Sequence, residues 1–468
     1  MKGEQRATET GRQRQPTVDI GDMTARTRSS SWLERWEPED GQFWESGGKR
    51  IAWRTLTITT ISLVLSFGTW FMMSAIVVRL PQIGFRFDTM QLFWLAAMPG
   101  LAGGSLRIIH AFLIPIFGTR HVISISTLIK LIPCVGIGLA VMNPETPFWA
   151  FLILGLLAGF GGGDFSSYMP STSVFFPKRL QGTALGIQAG IGNFGVSLAQ
   201  FASPWIIGFA IIGAPQTLIK GGATSSVWLQ NAALWYVPLL LLLGVIGWIS
   251  LRSVPVVASF KEQLDIFRNK HTWFCTVTYV MTFGSFSGFS AAFPLLIKTL
   301  YGKFPGAPDP LTYAFLGPLV GSAARVAAGP ISDRVGGGIM THLVGIGLTI
   351  GVAVMAFTGL LAPTSLDQFP YFVGLMLLIF LLTGVGNAST FRQYPVIFAH
   401  SPRQGAGVIG WTAAIAAYGP FFFATLIGVS ITTFGSPIPF FLGIGAYYIV
   451  ATAINWWYYT RKGCEKPS

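Results

Sequence analysis

Twelve apolar stretches of about 20 residues, each long enough to cross a bilayer, constrain this chain more than any other feature. They read near 55–78, 89–117, 121–142, 148–172, 182–212, 231–251, 272–298, 311–332, 339–362, 370–392, 405–430 and 437–460. In lipid a segment must satisfy its own backbone hydrogen bonds, so runs of this length imply helices. Only 10% of the residues are charged and 51% are hydrophobic, whereas about a quarter of a soluble domain is charged. The reading is an all-α integral membrane protein. Its 56 glycines and 28 prolines suit membrane helices better than soluble ones.

The runs form two sets of six, joined by the polar segment Arg252 to Lys270. Five regions follow: an N-terminal segment (1–53), a six-helix bundle (54–252), a linker (253–270), a second bundle (271–460) and a tail (461–468). Arg120, Lys178, Arg179, Arg252, Lys261, Arg268, Lys270, Arg334, Arg403, Arg461 and Lys462 fall on the side of the N-terminus. The other side holds fewer cations: Arg79, Arg86, Lys220, Lys298 and Lys303. The positive-inside bias then places both termini in the cytoplasm. The net charge of +13 is therefore membrane topology, and no nucleic-acid partner is expected. Residues before about Ser31 read as disordered. Trp36, Phe43 and Trp44 interleave with charges between Trp32 and Trp53, as in a short element lying at the membrane interface.

Enzymatic readings find little support. Cys134, Cys275 and Cys464 are isolated, the five histidines are scattered, and no Walker-type loop occurs. No metal, cofactor or catalytic group is expected.

Two cations break the apolar pattern. Arg107 and Arg325 each lie deep in a hydrophobic run, 218 residues apart, as do the glycines Gly118 and Gly336 that follow them. A guanidinium in the membrane costs about 2.5–3.5 kcal/mol by insertion scales and cannot escape by losing its proton. Two such groups at matching places in a repeated bundle suit a carrier for a small anion. The alternative, an ion pair with a buried acid, finds no obvious carboxylate on either helix.

The repeat extends to the Val174–Gly182 segment and its counterpart Val396–Gly405, each between the fourth and fifth runs of its half. Parallel six-helix repeats are the layout of the major facilitator superfamily. Gly329-Pro330-Ile331-Ser332-Asp333-Arg334-Val335-Gly336-Gly337 resembles that superfamily's loop signature, G-x-x-x-D-R-x-G-G; the first-half copy has Pro115 where Asp333 stands.

Gly159–Phe165 and Gly182–Asn193, with a weaker copy at Thr383–Phe391, resemble the signatures of the bacterial nitrate/nitrite porter family, and the resemblance runs from Trp36-Glu37-Pro38-Glu39-Asp40 through the last helix. It implies that Arg107 and Arg325 hold the anion, with Asn193 as a polar contact and Phe67, Phe165, Tyr279 and Phe283 as walls. Tyr279 and Phe283 share one helix face. Gly159, Gly190, Gly192, Gly384 and Gly386, with Asp333 and Arg334, are expected to serve packing and gating. A guanidinium offers paired planar donors to a planar oxyanion. The implied function is exchange of nitrate for nitrite by alternating access, in a bacterial cytoplasmic (inner) membrane, by a monomer partnered functionally by nitrate reductase. Proton-coupled nitrate import is the alternative, with Asp164 or His110 carrying the proton, and a non-transporting anion receptor is a remote one. Several residues depart from the family pattern. Ala189 stands in place of a glycine, Ala413-Ala414 remove an expected polar residue, and His110, Lys130, Asp164 and Arg392 add ionisable groups. Asp164 is expected to pair with Lys130 or Arg392.

Overall fold

The computed structural model describes residues 31–220, 223–254 and 264–468. The expectations for residues before Ser31 and for Lys261 in the linker lie outside them. Eleven helical stretches among the described residues are long and apolar enough to cross a membrane. We number the twelve spans in chain order, counting the more polar Lys178–Ile206, whose 29 residues reach about 43 Å. The first half holds α1 (Lys49–Ile76), α2 (Thr89–His110), α3 (Leu113–Met142), α4 (Phe148–Phe175), α5 (Lys178–Ile206) and α6 (Asn231–Ser250). The second holds α7 (Lys270–Tyr301), α8 (Pro310–Val335), α9 (Gly337–Phe357), α10 (Phe369–Ile397), α11 (Pro402–Ala416 with Gly419–Phe434) and α12 (Ile438–Thr460).

The repeat is visible in the backbone. Gly118 and Gly336 both turn the chain at positive φ, 75° and 99°, a conformation that a side chain at either position would strain. Glycine also lets helices meet backbone to backbone. A Cβ at Gly384 on α10 would fall 2.0 Å from the Gly321 carbonyl oxygen of α8, and one at Gly195 on α5 equally close to that of Val64 on α1.

Three boundaries differ from the sequence reading. Regular helix in α2 stops at His110 rather than running to 117, because Pro115 cannot donate to the Ala111 carbonyl. Two short strands, Gln216–Lys220 and Ala223–Val227, pair antiparallel between α5 and α6, where no strand was expected. The aromatics of the N-terminal segment pack against the protein. Trp44 is 1% exposed and packs on Phe176. Trp36 donates from Nε1 to the Val174 carbonyl at 3.0 Å and meets Phe175 edge-on. The Phe175-Phe176 pair at the α4–α5 turn gives these rings a protein partner, and α1 begins at Lys49 as a result.

Candidate anion site between the halves

Four interruptions of regular helix surround the two arginines. The α4 helix breaks at Gly159 and again at Asp164, α7 carries a π-helical turn at Val280–Gly284, and α11 breaks between Ala416 and Gly419. Such breaks are tolerated in membrane helices where other groups take up the freed carbonyls, and π-turns concentrate at functional sites. The breaks in α7 and α11 abut: a Cβ at Gly419 would sit 2.2 Å from the Gly284 carbonyl oxygen.

Arg107 is fully buried. Its Nε donates to the Gly162 carbonyl of α4 at 2.8 Å, and Nη1 donates to the Ala413 carbonyl of α11, in the other half, at 2.7 Å. Nη2 has no partner. Trp70, Phe165 and Phe283 surround its guanidinium, with centroids 5.2, 4.8 and 5.1 Å from Cζ. Arg325 is 6% exposed, neither of its Nη atoms is bonded, and its Cζ lies 4.8 Å from the Phe391 centroid.

A continuous aromatic stack joins the two cations. Phe283 lies parallel to Tyr279 at 5.5 Å, and Tyr279 stacks on Phe391 at 5.0 Å. The guanidiniums sit at the two ends of this stack. The Tyr279 hydroxyl, on the middle ring of this stack, is buried without a hydrogen-bond partner, as are both amide atoms of Asn193 on α5. Among the described residues no carboxylate lies within salt-bridge distance of either guanidinium. Donors buried and unpaired cost free energy unless an acceptor meets them. The three unpaired Nη atoms and the Tyr279 hydroxyl can all donate, so an oxyanion is a ligand that would satisfy them.

Of the expected site residues, Arg107, Arg325, Tyr279, Phe283 and Phe165 come together directly. Phe67 stands one layer back, edge-on to Phe165 at 6.3 Å. Asn193 sits on α5 between Gly192, which meets Leu63 of α1, and Gly190, which meets Val326 of α8 across the halves. Gly159 packs on Ala102 of α2, and Gly386 on Thr282 of α7. Asp333 pairs with Arg392 at 2.7 Å on an exposed end of the second half, so Arg392 adds no third cation to the site. Asp164 takes the Lys130 ammonium and the Ser66 hydroxyl on one oxygen. Sequence reasoning missed Trp70, Phe391 and the Gly162 and Ala413 carbonyls. Phe391 lay within the tenth-helix motif already singled out. The carbonyls carry no sequence signal.

The site is closed on one side. At the end opposite the termini, Arg79 of the α1–α2 connection pairs with Asp309 at the start of α8, at 2.6 Å. Lys298 Nζ donates to the Val78 carbonyl at 2.7 Å, Gln200 Nε2 to the Ser290 carbonyl at 2.8 Å, and Ser197 Oγ to the Phe315 carbonyl at 2.9 Å. At the level of the arginines, Ser105 Oγ lies 2.8 Å from the Tyr418 hydroxyl. Among the described residues no hydrogen bond or ion pair joins the halves on the terminus side of that level. There, Gly182, Gly186, Gly329 and Gly410 face open space.

Residues 58–422 match the family model "Major Facilitator Superfamily". The chain is 60% identical over 447 residues to a probable nitrate/nitrite antiporter NarK2 of Thermus thermophilus, covering 94% of this chain and 99% of that one. It is 39% identical over 459 residues to the nitrate/nitrite transporter NarU of Escherichia coli (strain K12), covering 93% and 98%. Among solved structures it resembles a bacterial homolog of the human lysosomal transporter Spinster in an inward-facing, unoccupied conformation. There the TM-score is 0.62 at 16% identity, covering 87% of this chain and 97% of that one. The aligned length and the identity to these relatives establish that the chain belongs to the Major Facilitator Superfamily and, within it, to the nitrate/nitrite porter family.

Proposed function

We propose that the protein exchanges nitrate for nitrite across the bacterial cytoplasmic membrane by alternating access, holding one anion between Arg107 and Arg325. The observation that carries this reading is the pair of buried guanidiniums with unpaired Nη groups at the two ends of one aromatic stack. The relatives' names support the choice of anion. Planar paired donors match planar oxyanions, and the aromatic walls exclude water, which strengthens the attraction.

The same charges explain why exchange is favoured over one-way flow. An empty site opposes two cations across the interface between the halves, and their repulsion resists closure. A bound anion offsets much of that repulsion, so the loaded carrier reorients faster than the empty one. The positive-inside bias places the termini in the cytoplasm. With the far side latched by Arg79–Asp309, the conformation described is then open to the cytoplasm. The carrier works as a monomer in this reading, and it supplies a cytoplasmic nitrate reductase while removing nitrite.

Nitrate uptake into proteoliposomes containing the purified protein tests the reading. Uptake is expected to require internal nitrite or nitrate and to persist without an imposed proton gradient. Uptake into empty vesicles that tracks the gradient would overturn exchange in favour of proton-driven import.

A further inference from the structure

His110 closes α2 one turn beyond Arg107. Its Nδ1 lies 3.1 Å from Ser167 Oγ and 3.8 Å from Asp164 Oδ1. Asp164 is completely buried, and its two oxygens are treated differently. Oδ2 accepts from Lys130 and Ser66, while Oδ1 has no hydrogen-bond partner. Lys130 in turn donates to the Ser126 carbonyl at 2.7 Å. The Lys130–Asp164 pair is therefore neutral overall and held on several sides. One oxygen of a buried carboxylate is left facing an imidazole.

His110 is 9% exposed, while Lys130 and Asp164 are fully buried. Of the three groups, only the ring keeps any accessible surface. The titratable groups around it come from each neighbouring helix. Arg107 stands on its own helix, Lys130 with Cys134 behind it on α3, and Asp164 with Tyr168 on α4. From α1 only the Ser66 hydroxyl reaches Asp164, and Tyr418 of α11 packs against Gly104 on α2.

We propose that His110 is a proton-binding site coupled to the anion site, with Asp164 Oδ1 as the counter-charge of the imidazolium. The step moves one proton from water to an imidazole nitrogen. The charged ring keeps its hydrogen bond with Ser167 and is balanced through space by the Asp164 carboxylate oxygen 3.8 Å away, so no other bond changes. In the empty carrier two cations, Arg107 and Lys130, and one carboxylate, Asp164, surround the ring. An anion arriving at Arg107, one turn away, reduces that positive field and makes the proton easier to bind. Linkage is reciprocal, so the proton tightens anion binding by the same factor. Protonated carrier would then take up nitrate or nitrite more avidly in acid, with no change to the contacts of the anion itself. The inference rests on the anion site proposed above.

Calorimetric titration of the purified full-length protein with nitrate tests it, in paired buffers of different ionisation enthalpy. Near pH 6.5 each nitrate bound is expected to draw in a fraction of a proton. From pH 8 to 5.5 the nitrate Kd should tighten by about twentyfold, the size expected of two charges about 9 Å apart in a medium of effective dielectric near 20. In His110→Gln the uptake should vanish and the pH profile flatten. In the double variant Lys130→Met with Asp164→Asn, which removes the counter-charge but keeps the ring, the uptake should also fall. Nitrate binding by the wild-type protein without proton uptake would overturn the proposal and leave the anion site standing; that measurement needs no variant to fold. Undiminished uptake in His110→Gln would overturn it too. Absence of any nitrate binding by the wild-type protein would overturn the anion site itself, and this inference with it.

Discussion

Arg107 and Arg325 occupy matching places in the two halves, but their surroundings are unlike. Arg107 gives two of its nitrogens to backbone carbonyls, one of them across the interface, and three rings enclose it. Arg325 lies over a single ring with both Nη atoms unpaired. Behind Arg107 stand three further ionisable groups, His110, Lys130 and Asp164. Among the described residues the second half buries neutral polar pairs: Gln393 donates to Asn455 at 2.9 Å, and the hydroxyls of Thr341 and Ser389 meet at 2.8 Å. The repeat has kept the two charges and divided their work. On the reading proposed above, the first half fixes its guanidinium before an anion arrives, and the second presents donors that an anion would satisfy.

Removing either guanidinium should have the largest effect. In Arg107→Ala and Arg325→Ala, nitrate/nitrite exchange in proteoliposomes should fall at least about 100-fold, as expected when one partner of a buried charged interaction is truncated. Stability should then separate the two. Arg325→Ala removes an unpaired buried charge without losing the hydrogen bonds that Arg107 makes, and should raise the melting point of the unliganded protein. Arg107→Ala orphans the Gly162 and Ala413 carbonyls and should lower it, each orphaned group costing about 1–3 kcal/mol. Equal shifts of the same sign would end the division of labour argued above.

The charged layer of the first half makes the next prediction. Lys130→Met or Asp164→Asn alone leaves a buried charge without its partner and should cost about 3–5 kcal/mol. The double variant should recover most of that loss, because an apolar or neutral pair of similar volume replaces a neutral ion pair. Thermal melting in detergent of the two single variants and the double checks it. Additive losses would show that the two residues do not act as a pair.

Much of this asymmetry was legible beforehand, and the illegible part has a physical cause. The spans, the repeat, both arginines and the stacked Tyr279–Phe283 pair follow from hydropathy, spacing and resemblance. The pairing of Asp164 with Lys130 followed from the price of leaving either alone in lipid. The tethering of Arg107 was hidden because its partners are main-chain carbonyls freed by helix breaks, and any residue can supply a carbonyl. Ala413 illustrates this: its sequence position read as a polar residue missing from α11, yet its backbone oxygen supplies a contact to Arg107. The packing of Trp36 and Trp44 on the Phe175-Phe176 turn was hidden too, because composition does not name a partner ring.

The latch opposite the termini joins the halves directly. Arg79 and Asp309 have side chains only 6% and 21% exposed, and the pair exists only while that end is shut. Asp309→Asn weakens it and should shift the conformational population toward opening there by about tenfold, roughly 1.4 kcal/mol. Distances between spin labels on the α1–α2 and α7–α8 connections report this. An unchanged distribution would mean that the Lys298, Gln200 and Ser197 bonds suffice to hold the end closed.

The smallest effect belongs to the turns that precede α5 and α11, which the two halves secure by different means. In the first half the N-terminal segment covers the turn with Trp36 and Trp44, and Glu39 accepts from the Lys178 amide at 2.8 Å. In the second half the linker does so through charge: Asp265 pairs with Arg403 and accepts from Gln404 Nε2 at 2.9 Å. The Arg403 guanidinium, helped by Gln404, holds the Asp265 carboxyl below its ordinary range. A depressed carboxyl contributes stability above its unfolded pKa and loses it as pH falls through the folded value. The linker contact should therefore be intact at neutral pH and weaken only below about pH 4. Being near the surface it should also weaken with salt, and Asp265→Asn should change the melting point at pH 7 by no more than a degree or two. Trp36→Ala, in the apolar counterpart, should cost more and ignore both salt and pH. If instead Asp265→Asn were the more damaging and Trp36→Ala the salt-sensitive one, the two clasps would have been assigned the wrong way round.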